Sequence, residues 1–288
     1  PVWVQALMSA GVLAEQQGDY GEAEALLEQR LRLSRELGDL QGVAAGLNSL
    51  GVVALKRGDD ARATKLLEQS LALKRDLGDK GGAAISLTNL GIIAVGEMDY
   101  ARGKALFEQA LALARELQDA IGIALLLTDL GEVMRELGDD AQARRLLEEA
   151  VALLGELGEK DGLAHALVSL GDVRAHEGDS GAAEQLYCES LALFHAIGEK
   201  HGMAYVLESL ARLAQRQEEP QRAVQLPGVA EALRSAVAAP RTARERSRFD
   251  HIVTTLRAQL DDTRFTAAWD SDHRLTLDQA IAYALNQD

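Results

Sequence analysis

The chain has 288 residues, 47% hydrophobic but only 4% aromatic, so its apolar surface is mainly that of Leu, Ala, Val and Ile, which suits close-packed helices. A net charge of −15 excludes a nucleic-acid or anionic-membrane surface, since either needs clustered Lys and Arg. One cysteine, Cys188, excludes an intrachain disulfide and a Cys-based zinc site, and no run reaches the roughly 18 apolar residues of a membrane span, so a reducing cytoplasm is the expected compartment.

The chain opens at Pro1 with Val2, Trp3 and Val4 already in an apolar helical pattern, without Met and without a charged-then-apolar leader, so it reads as cut from something longer. Those apolar residues predict a neighbour on the N-terminal face. Self-similarity then takes over. Gly42, Gly82, Gly122, Gly162 and Gly202 recur every 40 residues, as do Ala44, Ala84, Ala124, Ala164 and Ala204. Leu-Gly pairs recur at Leu50-Gly51, Leu90-Gly91, Leu130-Gly131 and Leu170-Gly171, preceded by Ala10-Gly11 and followed by Leu210-Ala211. Six units share this register: about 1–40, 41–80, 81–120, 121–160, 161–200 and 201–226.

Each unit predicts two helices. In the second, Leu47, Leu50, Val53 and Ala54 fall on one helix face until Gly58-Asp59 interrupts; Ala63, Leu66, Leu67 and Leu71 resume the spacing until Leu77, and Gly78 closes it. The first turn recurs as Gly18-Asp19, Gly138-Asp139 and Gly178-Asp179, with Met98-Asp99 once in its place. Aspartate there caps the second helix by accepting from its free amides. The second turn recurs as Gly38, Gly78, Gly158 and Gly198, with Gln118 substituting at a cost of about 1 kcal/mol if its φ is positive. Gly51 and Ala63 are small, which places them where the two helices approach most closely. A lone hairpin cannot cover its apolar stripe, so units must stack.

The words Leu47-Asn48-Ser49-Leu50-Gly51 with Ala54, and Ala63-x3-Leu67, Gly103-x3-Phe107, Ala143-x3-Leu147 and Ala183-x3-Tyr187, resemble the tetratricopeptide repeat over about residues 1–226. Aliphatic residues stand at most of its aromatic positions and its closing proline is absent, so the unit is 40 residues rather than roughly 34. The resemblance implies an all-α, right-handed solenoid of antiparallel helical hairpins.

Beyond 226 the regularity fails. Pro227-Gly228 is expected to interrupt, 229–238 to resume a helix, and Pro240 to stop it. An amphipathic helix is expected over 241–260, carrying Phe249, Ile252, Val253, Leu256 and Leu260. A short helix with Phe265 and Trp269, capped by Asp262, and a last one opened by the capping box Thr276-Leu277-Asp278-Gln279 follow, so that 227–288 forms a helical cap. The stretches 228–234, 265–269 and 277–285 resemble the C-terminal end of bacterial LuxR-type regulators that join a nucleotide-binding switch domain to tetratricopeptide repeats. That resemblance implies a nucleotide-binding domain ahead of this chain and a role as its sensor region. A generic helical cap is the alternative.

No phosphate loop, no His-Glu-x2-His and no Gly-x-Ser-x-Gly occurs, so no enzyme activity, cofactor or metal is expected. His165, Asp172 and His176 share one helical stripe and form the set best suited to a metal, against the alternative of a polar wall.

In tetratricopeptide superhelices the first helices line a concave groove, and the resemblance assigns that stripe unit by unit. It comprises Gln5, Met8, Val12 and Glu15; Ala45, Asn48, Val52 and Leu55; Ile85, Thr88, Ile92 and Val95; Leu125, Thr128, Glu132 and Arg135; His165, Val168, Asp172 and His176; and Tyr205, Glu208, Arg212 and Gln215. The expected contact set is this stripe without Gln5, Glu15, Ala45, Ile85, Leu125, Val168 and Gln215. Units two and three present aliphatic residues there, units four to six charged ones, and variation at fixed register marks recognition rather than scaffold. A peptide or protein segment is the expected partner, with Asn48 and Thr88 bonding its backbone and a small ligand as another occupant. Cover by the chain itself or by a dimer partner, and a free-standing scaffold that joins two proteins, stay open beside it.

Overall fold

The protein is known from a computed structural model, which describes residues 2–236, 243–260 and 266. Those residues form helices and no strands. The helices are α1 (Val2–Gln16), α2 (Tyr20–Glu36), α3 (Leu40–Lys56), α4 (Asp60–Asp76), α5 (Lys80–Gly96), α6 (Tyr100–Leu117), α7 (Ala120–Glu136), α8 (Asp140–Leu157), α9 (Lys160–Glu177), α10 (Ser180–Ile197), α11 (Lys200–Arg216), α12 (Pro220–Ala236) and α13 (Ala243–Gln259). Two compact units divide them, Pro1–Leu137 and Gly138–Asp288.

Every helix from α2 to α11 begins on a carboxylate. Asp19, Asp59, Asp99, Asp139 and Asp179 each accept a bond from the amide three residues on, which opens the even-numbered helices as expected. The odd-numbered helices use Asp39, Asp79, Asp119, Glu159 and Glu199, whose acceptors close on Gly42, Gly82, Gly122, Gly162 and Gly202. A Cβ on Gly42, Gly82 or Gly122 would run into that carboxylate. The 40-residue glycine is thus a capping requirement.

Glycine closes most helices with positive φ. Met98 (φ 62°), Gln118 (φ 54°) and Glu218 (φ 61°) hold the same left-handed conformation where the repeat elsewhere has glycine. The first two follow from the sequence register, and Glu218 extends the rule to the sixth unit.

In the first unit α1–α2, α3–α4 and α5–α6 pair as hairpins, and each stacks on the next. Close approach is enforced at the Leu-Gly glycines: a Cβ on Gly51 would lie 2.7 Å from Leu67 Cγ, and one on Gly91 would lie 2.5 Å from Phe107 Cε1. In the second unit α9–α10 and α11–α12 pair likewise, with Gly171 under Tyr187 at 2.6 Å from the same virtual atom. Ala23, Ala63, Ala143 and Ala183 are fully buried, as small residues at the crossing should be.

Pro227 departs from expectation. It lies inside α12, which runs without interruption through the boundary expected between 226 and 227. Proline there removes one amide donor, but Ala223, Val224, Leu226, Val229, Ala230 and Leu233 are all buried along the same helix, so packing outweighs the lost bond. The helix expected over 241–260 is α13, whose Ile252 and Leu256 are buried with Ala214, Ala223 and Val224 of α11 and α12. The expected helices at Phe265 and Trp269 and after the capping box at Thr276 lie outside the described residues, as does the 277–285 stretch.

Candidate functional site

In the first unit the stripe on α1, α3, α5 and α7 divides into residues that hold the repeats together and residues that face outward. Met8 belongs to the first group: it packs against the core shared with α3 and accepts a weak bond from the Ser49 hydroxyl at 3.7 Å. Asn48 Oδ1 accepts from Ser86 Oγ at 2.9 Å and from Lys74 Nζ at 3.3 Å. Thr88 and Thr128 turn their hydroxyls back onto Ala84 O and Ala124 O, and Thr128 is buried. These bonds commit the Asn48 amide oxygen and the Thr88 hydroxyl proton inside the fold, so a bond from either residue to a ligand backbone would use the Asn48 Nδ2 donors or Thr88 Oγ1 as acceptor.

Lys74 organises that interior layer. Its ammonium donates to Gly82 O at 2.9 Å and Ser86 Oγ at 3.0 Å, and burial lowers its pKa against the opposing charge of Asp79. One unit earlier Arg30 plays the same part from a different register, donating to Gly42 O at 3.1 Å.

Outward, α5 presents Ile85 and Ile92, 57% and 44% exposed, and α7 presents Leu125, 42% exposed. Ile85 and Ile92 are seven residues apart and so share a helix face. Val12, Val52, Leu55 and Val95 are half-buried; Val95 leans on Gly103 of α6. Ile85 and Leu125 lay on the predicted stripe but outside the predicted contact set, although their shared register marked them as equivalent. Glu132 is exposed, and Arg135 pairs with Glu136 at 2.7 Å. Beside Glu132, the half-buried carboxyl of Asp129 is pushed up to about 7, by burial first and by the Glu132 charge second.

In the second unit Asp172 is the hub. It accepts from Tyr187 Oη at 2.7 Å, Tyr205 Oη at 3.1 Å and Arg212 Nη2 at 3.1 Å. Burial and then the Asp172 charge raise the Tyr187 pKa, so the phenol stays a donor. Glu208 lies buried, bound to the buried Arg234 guanidinium at 3.1 Å; the expectation that it faces a ligand is corrected, because its carboxylate ties α11 to α12. Nor do His165, Asp172 and His176 converge. His165 is exposed and meets the Phe194 ring edge-on at 4.9 Å, while His176 Nδ1 pairs with Asp140 at 2.5 Å. Among the described residues no group of three His, Cys, Asp or Glu side chains is placed to hold a metal ion, and no helix is long and apolar enough to cross a membrane.

Comparison with known proteins fits this geometry. The tetratricopeptide repeat family matches residues 4–76 and 82–156. Among solved structures, the apo form of RapI aligns over 99% of both chains at 12% identity with a TM-score of 0.71. A Rap protein complexed with Competence and Sporulation Factor aligns over 88% of this chain and 76% of that one at 15% identity, TM-score 0.65. BtubC from P. vanneervenii aligns over 82% and 94% at 16% identity, TM-score 0.59. At such identities the likeness is one of fold. Comparison with curated sequences gives no match.

Proposed function

Since this chain belongs to the tetratricopeptide repeat family, a fold that serves protein interaction, we propose that the outward face of α5 and its register equivalents on α3 and α7 bind an extended segment of a partner protein. The observation that carries this reading is the pair Ile85 and Ile92, two large aliphatic side chains about half exposed on one face of one helix. A scaffold position that only holds the repeat would bury such residues, as the neighbouring Leu87, Leu90 and Ile93 are buried. Val52, Leu55 and Val95 widen the apolar strip, and Glu132 supplies charge beyond it. Binding needs no bond-breaking chemistry, so the role is non-catalytic.

The partner segment in turn suggests a sensor region of a bacterial signal-transduction regulator. Support comes from the fold shared with the Rap protein complexed with Competence and Sporulation Factor, and from the 228–234 stretch on α12, which resembles LuxR-type regulators. In that setting, a bound segment would shift a switch only by binding its two states unequally.

The test is a panel of displayed random peptides selected on the chain and measured again on the Ile85→Ser/Ile92→Ser variant. The expected outcome is binding to the parent, at least tenfold weaker to the variant, with the thermal midpoint held. Equal affinity for both proteins overturns the proposal, and a dimer that dissociates on the same substitution assigns the face to a second copy instead.

A further inference from the structure

One position in the repeat register is unlike its equivalents. Val43, Ile123, Leu163 and Met203 stand where the third unit has Ala83, the smallest of the five. Beside Ala83 the structure opens a pocket of about 380 Å³, bounded by the last turn of α4, the start of α5 and one side of α6. Its wall is apolar, formed by Ala83, Leu87, Ala112 and Leu113. Its rim is cationic: the exposed Arg75 and Lys80 stand there with the buried Lys74 behind them, against Asp79, whose carboxylate already accepts from the Gly82 amide at 2.8 Å, and Glu116, which pairs with Lys80. Such a rim runs against a chain charge of −15.

We infer that this pocket binds a small amphipathic anion, an alkyl or aromatic carboxylate whose apolar body lies on Ala83, Leu87 and Leu113 while its carboxylate meets Arg75 and Lys80. The volume falls in the range of small-molecule sites, and the lining has their usual make-up, mostly apolar with a few polar groups that fix orientation. Among the described residues the Arg75 guanidinium donates to the neutral Gln109 at 3.2 Å and to no carboxylate. Lys80 pairs with Glu116 at 2.8 Å, but with side chains 56% and 55% exposed that pair holds weakly. Both cations are therefore able to turn to a carboxylate at little cost. Lys74 remains on Asn48, Gly82 and Ser86, and its buried charge adds attraction for an anion from behind. The pocket is distinct from the outward face of Ile85 and Ile92, so either site can exist without the other.

Octanoate and 1-octanol serve as probes, with binding read by calorimetry and by chemical-shift titration. Octanoate is expected to bind saturably and more tightly than the neutral alcohol. Ala83→Leu restores a side chain of the size carried by Leu163 and Met203, so it should hold or raise the thermal midpoint while lowering octanoate affinity at least tenfold. Ala112→Leu fills the pocket from an exposed position and provides the same result should Ala83→Leu fold poorly. Arg75→Gln and Lys80→Gln should each weaken octanoate about two- to fivefold and leave octanol unchanged. Absence of saturable octanoate binding up to ~10 mM, or affinity unaltered by both filling variants, overturns the site. Equal binding of octanol and octanoate overturns the anion assignment.

Discussion

Tyr187 Oη donates to Asp172 Oδ1 at 2.7 Å, so the ring that fills the space over Gly171 also anchors the acid at the centre of the second unit's polar cluster. A packing residue and a candidate recognition residue are thereby one device. Tyr187→Phe removes one donor to this carboxylate and should cost about 1 kcal/mol. Asp172→Ala also takes away the carboxylate paired with the Arg212 guanidinium, whose side chain is only 26% exposed and keeps its bond to Ser209 Oγ, and should cost about 2–3 kcal/mol in urea unfolding. A stability gain from Asp172→Ala would instead mark the carboxylate as poised for a ligand.

Glu208 and Arg234 form a buried ion pair with side chains 5% and 2% exposed. Glu208→Ala takes this carboxylate away from the buried Arg234 guanidinium and should destabilise the protein by about 3 kcal/mol. The joint change Glu208→Leu with Arg234→Met should recover most of that loss, as a double-mutant cycle would show.

Close approach of the hairpin helices predicts an order among glycine substitutions. A Cβ on Gly91 meets the rigid Phe107 ring at 2.5 Å, whereas one on Gly11 meets the flexible Leu27 side chain at 2.9 Å. Gly91→Ala should therefore cost about 2–3 kcal/mol and Gly11→Ala about 1 kcal/mol. Equal costs by chemical denaturation would remove the rigid ring as the cause.

Asp129 carries a pH dependence. Its carboxyl titrates at about 7 in the folded chain, above its ordinary value of 3.8, so between those values the native state holds a proton that the unfolded state has released. Its contribution is fully favourable below pH 3.8, declines as pH rises, and is lost above about pH 7. Asp129→Asn, neutral at every pH, should stabilise the protein by about 1–2 kcal/mol at pH 8, have little effect near pH 4, and flatten stability between them. A pH-independent effect of the substitution would assign Asp129 no titration in this range.

The turns, caps and tight crossings were legible because they are local: a 40-residue period of Gly, Asp and Leu-Gly fixes where each helix starts, ends and touches its partner. Asp19 to Asp179 and the strained Met98 and Gln118 follow from that period alone. Pro227 was misread for the converse reason, since local propensity says stop while a row of buried side chains along α12 holds the helix through it.

The stripe of candidate residues was correct in register but silent on accessibility. Sequence determined that α5 repeats the face of α3 and α7; it did not determine that the Asn48 amide oxygen would accept from Lys74 and Ser86, that Glu208 would be sealed against Arg234, or that Ile85 would stand 57% exposed. The pairings depend on residues 26 to 38 positions away in the chain, brought together when a hairpin closes, as for Asn48–Lys74 and Glu208–Arg234, or when one hairpin stacks on the next, as for Asn48–Ser86. Periodicity reports which side of a helix a residue takes, whereas burial and pairing are decided by what packs against that side.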